Sequence, residues 1–368
     1  MRITYIIESL SNSGGMERVV TQKANWLVNK TNYKITIITF AQKINENDFF
    51  TLDENVNRIK WYWENSDKLH LLKKLEKWLM NNPQDICIST YGREFNILHK
   101  IKDGSKKIVE FHFAYDVNKH WITNTCNRWK AYIIGGLKTW FMSRTAKKYD
   151  IIVCLTEADY KRWNTDKIVQ IYNPITIKTN KVSDCQSKVI VAIGRMDKQK
   201  GFDILLNCWK LLEDRYPEWQ LKIYGGGDSS IYEKQISDLQ LNHASILGRT
   251  NDVQSVLCES SIYVLSSRYE GFSLTICEAM NCGLPIVSFD CPSGPAELVA
   301  DGVNGYIVSK VGDIESMAKC ISNLIENEHL RKEFGNNSHQ LSEKYQLDYV
   351  MNKWTSLFNQ LAKSKIQH

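Results

Sequence analysis

The chain has 368 residues, 43% of them hydrophobic, which is enough for more than one core at a length where a single core stops growing. No run of eighteen apolar residues exists to span a membrane, and Glu8 stands where a secretion signal would stay apolar, so a cytoplasmic chain is expected; ten cysteines without a Cys-x-x-Cys pair fit a reducing compartment better than a zinc or redox motif. The net charge of +6 divides unevenly: residues 1–180 carry 28 Lys and Arg against 18 Asp and Glu (+10), the remainder 19 against 23 (−4), and with no base-reading motif present an anionic membrane surface or a phosphorylated acceptor fits better than nucleic acid.

An apolar run, Ile3 to Ile7, leads into a glycine-containing turn at Ser11 to Gly15, an amphipathic stretch from Glu17 to Asn29 and a β-branched run from Tyr33 to Phe40. Strand, turn, helix and strand at crossover spacing predict two parallel neighbours in a right-handed βαβ unit. Ile86 to Ser89, Lys107 to His112 and Ile151 to Leu155 are the next strand candidates, with helical periodicity between them. The pattern restarts after Tyr172-Asn173-Pro174-Ile175 and a polar stretch, Lys178 to Lys188. Strands are then predicted at Val189 to Ile193, Gln220 to Tyr224, Ser245 to Leu247, Ile262 to Leu265, Pro285 to Phe289 and Tyr306 to Val308, before helical stretches from about Asp313 to Lys363. This alternation predicts an α/β chain of two doubly wound, Rossmann-like domains facing each other across a cleft. Residues 1–173 form the first, 174–345 the second, and 346–368 a helix expected to cross back onto the first.

Four segments follow predicted strands and carry chemistry. After Ile262 to Leu265 comes Arg268-Tyr269-Glu270-Gly271-Phe272-Ser273-Leu274-Thr275-Ile276-Cys277-Glu278, a flexible glycine and then a helix start near Ser273, whose free amides favour an anion. Either carboxylate alone reads as solvated or capping; two spaced eight apart around one helix start are more specific. Gly194-Arg195-Met196-Asp197-Lys198-Gln199-Lys200-Gly201 brings a guanidinium and an ammonium to a strand end, suited to a diphosphate leaving group. Gly14-Gly15-Met16-Glu17-Arg18 lacks the Gly-x-Gly-x-x-Gly spacing of dinucleotide binders but allows close backbone approach at a helix start. His112 lies at a strand end, where positioning and acid–base groups belong, and ranks above His120. The loops Tyr224 to Asp228 and Leu247 to Asp252 also follow strands, and Arg249 is their candidate donor-binding residue.

These motifs, in this order over nearly the whole chain, resemble the retaining glycosyltransferases of the GT-B superfamily placed in family 4, the group 1 glycosyltransferases. The resemblance implies that Glu270 contacts donor sugar hydroxyls and Glu278 the ribose, that the amides of Phe272, Ser273 and Leu274 face phosphate, and that Arg195 and Lys200 hold the pyrophosphate. It places Gly15 on the cleft, His112 beside donor sugar and acceptor, and Arg249 near the nucleobase. It further implies retention at the anomeric carbon by a front-face displacement. No Asp-x-Asp occurs and no His/Cys cluster has ligand spacing, so no metal and no cofactor is expected beyond the nucleotide-sugar co-substrate. The segment Ser288 to Glu297 looks like that of relatives using UDP-galactose, UDP-glucose or their N-acetyl forms, which favours a UDP-sugar. The expected function is transfer of a hexose or N-acetylhexosamine to a glycan acceptor carried on polyprenyl diphosphate, in cell-surface polysaccharide, lipopolysaccharide or capsule synthesis. A sugar-nucleotide epimerase of the same fold and a catalytically silent nucleotide-sugar binder are the alternatives.

No acidic residue lies between Asp116 and Asp150, where Lys119, Arg128, Lys130, Lys138, Arg144, Lys147 and Lys148 alternate with Trp121, Trp129, Tyr132, Trp140 and Phe141. On a helix, Trp129, Ile133, Gly136 and Trp140 share a stripe, the profile of a segment lying peripherally on anionic lipid; the alternative is a stripe packed into the core.

Overall fold

The computed structural model describes residues 1–62, 68–119, 128–179 and 181–364. The chain divides into two compact units, Met1–Pro174 with Leu347–His368, and Ile175–Gln346.

The first unit is built on one parallel sheet of β1 (Arg2–Ile7), β2 (Lys34–Thr39), β3 (Asn57–Lys60), β4 (Ile86–Ser89), β5 (Lys106–Glu110), β6 (Ile151–Cys154) and β7 (Ile168–Gln170). Their order across the sheet is β3-β2-β1-β4-β5-β6-β7. β1 sits between β2 and β4, with Ile3 opposite both Ile35 and Ile86. Ile3, Tyr5, Ile6 and Ile7 are all buried, because helices cover both faces of a parallel sheet and its central strands are apolar throughout. Val20, Ala24 and Leu27 of the helix Gly15–Lys30 share one core with Val350, Met351, Trp354 and Phe358 of the helix Leu347–Ser364, so the end of the chain packs on the first unit. On the other face, Leu71, Leu75 and Leu79 of the helix Lys68–Asn81 and Met142 and Ala146 of the helix Arg128–Ala146 close a second core.

The second unit repeats the plan with β8 (Val189–Ile193), β9 (Gln220–Tyr224), β10 (Ala244–Ile246), β11 (Ile262–Leu265), β12 (Ile286–Phe289) and β13 (Gly305–Val308), in the order β10-β9-β8-β11-β12-β13. Its core joins Leu205, Leu206 and Trp209 of the helix Phe202–Lys210 to Met317, Ile321 and Leu324 of the helix Ile314–Glu326. In each sheet the strand order reverses beside the unit's first strand, at β1/β4 and at β8/β11, and such reversals open crevices at the carboxyl ends of the strands.

Two strands escape the sequence pattern. β3, Asn57-Arg58-Ile59-Lys60, is polar, and β7 has three residues; both lie at sheet edges, where short or charged strands are favoured. β5 also stops at Glu110, short of the predicted His112. The nine described cysteines are free thiols, eight of them buried. Among the described residues no helix is long and apolar enough to cross a membrane.

Candidate active site

In the second unit, the loops after β8, β9 and β10 are joined backbone to backbone. Gly194 N–H donates to Tyr224 O (2.9 Å), Met196 N–H to Gly226 O (2.9 Å) and Gly225 N–H to Gly248 O (2.7 Å). The approach requires glycine: a Cβ on Gly225 would stand 1.6 Å from Gly194 O, and one on Gly226 1.9 Å from Nε of Arg249. Arg249 therefore lies flat against the loop after β9.

Lys200 closes a short 3₁₀ turn, Lys198–Lys200, whose start is capped by Asp197 accepting from the Lys200 N–H (3.3 Å). Gly201 follows with φ of 63°, and a Cβ there would meet Ser266 O at 2.2 Å, so the turn is pressed onto the end of β11. That contact delivers the Lys200 Nζ to the Glu270 Oε1 at 2.6 Å, and Ser267 Oγ donates to the same oxygen at 2.6 Å. The two charged side chains are 13% and 8% exposed. Arg268 staples the arrangement, donating to both carboxylate oxygens of Asp203 (2.8 and 2.6 Å) and to Lys198 O (2.8 Å). Arg195 is different: its side chain is 73% exposed, and its guanidinium reaches Gln199 Oε1 and Asp197 Oδ2, each at 3.2 Å.

The helix Leu274–Asn281 begins one residue after Ser273, whose hydroxyl makes no capping bond and instead lies 3.2 Å from Thr275 Oγ1. The loop after β12 supports this start, since a Cβ on Gly294 would lie 1.7 Å from Gly271 O. Phe272 is buried edge-on to Tyr345, ring centres 5.5 Å apart. Glu278, on the helix's second turn, is buried and accepts a hydrogen bond from the Thr176 hydroxyl. Arg195, Lys200, Arg249, Glu270 and the Phe272 to Leu274 helix start thus share the carboxyl edge of one sheet. Chemically the edge offers three cations, a helix N-terminus and two carboxylates, a set suited to a diphosphate bearing polyols.

Gly15 and His112 belong to the first unit. Gly15 opens the helix Gly15–Lys30, directly after the N-cap Gly14. His112 lies two residues past the end of β5 rather than in the strand, with its side chain 6% exposed. Its Nε2 stands 3.5 Å from Glu110 Oε1. Burial holds the imidazole pKa below its ordinary value, and the Glu110 charge opposes that. The same unit holds a cavity of about 320 Å³ at the β1/β4 reversal, lined by Glu8, Met16, Thr90, Tyr91, Gly92, Arg93 and Asn96. Tyr91 holds a left-handed backbone, φ 66°, a strained state for a residue with a side chain. Behind the cavity, the buried Glu94 accepts from Ser89 Oγ (2.7 Å) and Gly92 N–H (2.9 Å), and burial raises its pKa to about 7.

Sequence reasoning missed Thr176, Ser267, Arg268, Lys23, Glu110 and the cavity. Lys23 and Glu110 did leave a signal, a lysine on the apolar stripe Val20, Ala24, Leu27 and a glutamate inside an apolar strand. Thr176, just past a proline, left none.

The aromatic stripe of the helix Arg128–Ala146 is not core. Trp129 (73% exposed), Tyr132, Ile133, Leu137, Trp140 and Phe141 all face solvent, while Thr139, Met142 and Ala146 pack inward. Lys138, Arg144, Lys147 and Lys148 are exposed along it. Lys119 Nζ lies 5.0 Å from the Tyr132 ring centre. His120 and Trp121 lie outside the described residues.

Residues 175–341 match the glycosyl transferases group 1 family. A glycosyltransferase of Haemophilus influenzae is 30% identical over 97% of this chain and 99% of its own length. The lipopolysaccharide 1,6-galactosyltransferase of Escherichia coli is 26% identical over 90% of this chain and 92% of its own. Among solved structures, TarM of S. aureus, captured with fondaparinux, α-GlcNAc-glycerol and UDP, superposes with a TM-score of 0.76 at 18% identity over 97% of this chain and 99% of that one. Matched from end to end by a relative at this identity, and carrying the two-sheet architecture of these enzymes, the chain belongs to the group 1 glycosyltransferases and has the GT-B fold.

Proposed function

We propose that this protein transfers a hexose or N-acetylhexosamine from a UDP-sugar, with retention at the anomeric carbon and without a metal, to a glycan acceptor carried on polyprenyl diphosphate, in cell-surface polysaccharide assembly at the inner face of the plasma membrane. The observation that carries the donor reading is the Lys200–Glu270 contact set beside an uncapped helix start and the exposed Arg195. Cations and amides at one edge meet the charge that grows on a departing UDP, while carboxylates beside them accept from sugar and ribose hydroxyls. In a front-face displacement the departing phosphate takes the proton of the acceptor hydroxyl as the new glycosidic bond forms and the sugar–phosphate bond breaks. The E. coli relative, a lipopolysaccharide galactosyltransferase, supports the cell-surface setting. We assign the acceptor's sugar to the cavity at the β1/β4 reversal, where Glu8, Arg93 and Asn96 supply the polar partners a polyol needs. The solvent-facing aromatic stripe of the helix Arg128–Ala146, flanked by cations, supports a peripheral seat on anionic lipid.

The test is a panel of UDP-glucose, UDP-galactose, their N-acetyl forms and GDP-mannose, scored for nucleotide release and thermal shift with and without chelator. Release from a UDP-sugar that persists in chelator is expected. Release from none of them, or release abolished by chelator and restored by magnesium or manganese, contradicts the reading at the corresponding point.

A further inference from the structure

Beneath His112 lies a pair of charges with no place in the donor chemistry. Lys23, 0% exposed, donates from Nζ to both carboxylate oxygens of Glu110, at 2.6 and 2.7 Å. Glu110 is itself 1% exposed. Trp354 of the C-terminal helix roofs the ammonium, its ring centre 3.6 Å from Nζ, and Tyr5 of β1 presents its ring at 5.5 Å. Burying such a pair costs desolvation on both partners, and well-packed apolar residues of like volume serve stability as well or better. Stability alone therefore gives no reason for Lys23 to occupy an apolar stripe. The adjacent polar group that remains is His112: neither ring nitrogen has a hydrogen-bond partner among the described residues, and Nε2 faces Glu110 Oε1 at 3.5 Å. Asn173 lies close enough to favour the protonated ring, although its amide oxygen also lacks a partner meeting hydrogen-bond geometry.

We propose that Lys23 and Glu110 are positioning residues for His112: Lys23 locks the Glu110 carboxylate in place, and the carboxylate keeps the imidazole proton on Nε2 and fixes the ring, leaving the buried Nδ1 unprotonated. The role in turnover rests on the functional reading above; the fixed tautomer does not. The charged and titratable groups around the ring are Glu110 from β5, Lys23 from the helix Gly15–Lys30 and, one shell further, Tyr5 from β1, with Trp354 contributing only its ring face. Glu110 is the nearest of them and the only one whose charge favours imidazolium. Its removal lowers the His112 pKa.

The full chain labelled with ¹⁵N-histidine gives the tautomer and pKa of His112 directly, with the signal assigned by its loss in His112→Gln. The parent is expected to show an Nε2-protonated ring. Glu110→Gln should mix the tautomers and lower the His112 pKa by about one unit. The same substitution should reduce kcat for UDP release about tenfold with the donor KM unchanged. Should Glu110→Gln fold poorly with Lys23 unpaired, the double variant Lys23→Met/Glu110→Gln removes both buried charges and is expected to melt at or above the parent temperature while showing the same tautomer mixing. Tautomer and pKa that match the parent in a folded variant overturn the proposal. A parent that releases no UDP counts against the transferase reading alone, since the nitrogen signals report independently of turnover.

Discussion

Replacing Lys200 with alanine is the sharpest single perturbation of the donor edge. Its ammonium is 13% exposed and sits 2.6 Å from Glu270, so whatever it does for a leaving diphosphate it does where water screens little. Loss of one such donor to charge developing in a transition state costs on the order of 100- to 1,000-fold in rate, about 3–4 kcal/mol. The cost to folding is expected to be smaller, about 1–2 kcal/mol, because Ser267 Oγ still donates to Glu270 at 2.6 Å and the carboxylate is not orphaned. Initial rates of UDP release from the preferred donor measure the first quantity, and thermal melting the second. A folded Lys200→Ala protein whose kcat/KM lies within roughly threefold of the parent refutes the assignment of Lys200 to the leaving group.

Other consequences can be checked the same way. Glu278→Ala removes the buried carboxylate bonded to Thr176 and should weaken UDP binding, read by calorimetry, about tenfold or more while the fold survives. Changing Lys138, Arg144, Lys147 and Lys148 together to glutamine should lower binding to anionic vesicles, each cation contributing about 1 kcal/mol, and leave donor hydrolysis in solution unchanged; parent-like flotation of the variant, or a parent that ignores anionic lipid, removes the membrane seat. Glu94 predicts a pH signature. Its folded pKa, raised by burial to about 7 from the ordinary 4.5, means the folded chain binds more protons than the unfolded one between those values, so this group's contribution to stability falls as pH rises through that window and levels off above it. Glu94→Gln should keep the bonds from Ser89 and Gly92, remove that slope and melt higher than the parent at pH 8, with the gap closing near pH 4.5.

The central strands were legible because parallel sheets bury both faces and their sequences are continuously apolar; Ile86–Ser89, Val189–Ile193 and Ile262–Leu265 emerged at the expected residues. At the edges of the first sheet Asn57–Lys60 was too polar and Ile168–Gln170 too short to read, whereas the edge strands of the second sheet, Ala244–Ile246 and Gly305–Val308, lie within a residue of the predicted positions. Glu270, Lys200 and the helix start were readable as local patterns, each following a strand. What a linear pattern cannot carry is contact between distant segments: the approach of Gly201 to Ser266 that joins Lys200 to Glu270, the bond from Thr176 to Glu278, and the cavity formed by Glu8 and Tyr91 from the loops after neighbouring strands. His112 was found by its place near a strand end, but its neighbour Glu110 is held by Lys23, eighty-seven positions before that carboxylate, and no linear pattern carries that contact. The aromatic helix was ambiguous between core and surface in sequence, and only the packing of Thr139, Met142 and Ala146 on its opposite face decides for surface.

A crystal structure with UDP bound tests the central claim most directly. The account predicts the diphosphate within hydrogen-bonding distance of the Lys200 ammonium and the Phe272 to Leu274 amides, the Arg195 guanidinium drawn from solvent onto it, and the ribose on the Glu278 carboxylate. UDP bound with neither Lys200 nor Glu278 in contact would contradict it.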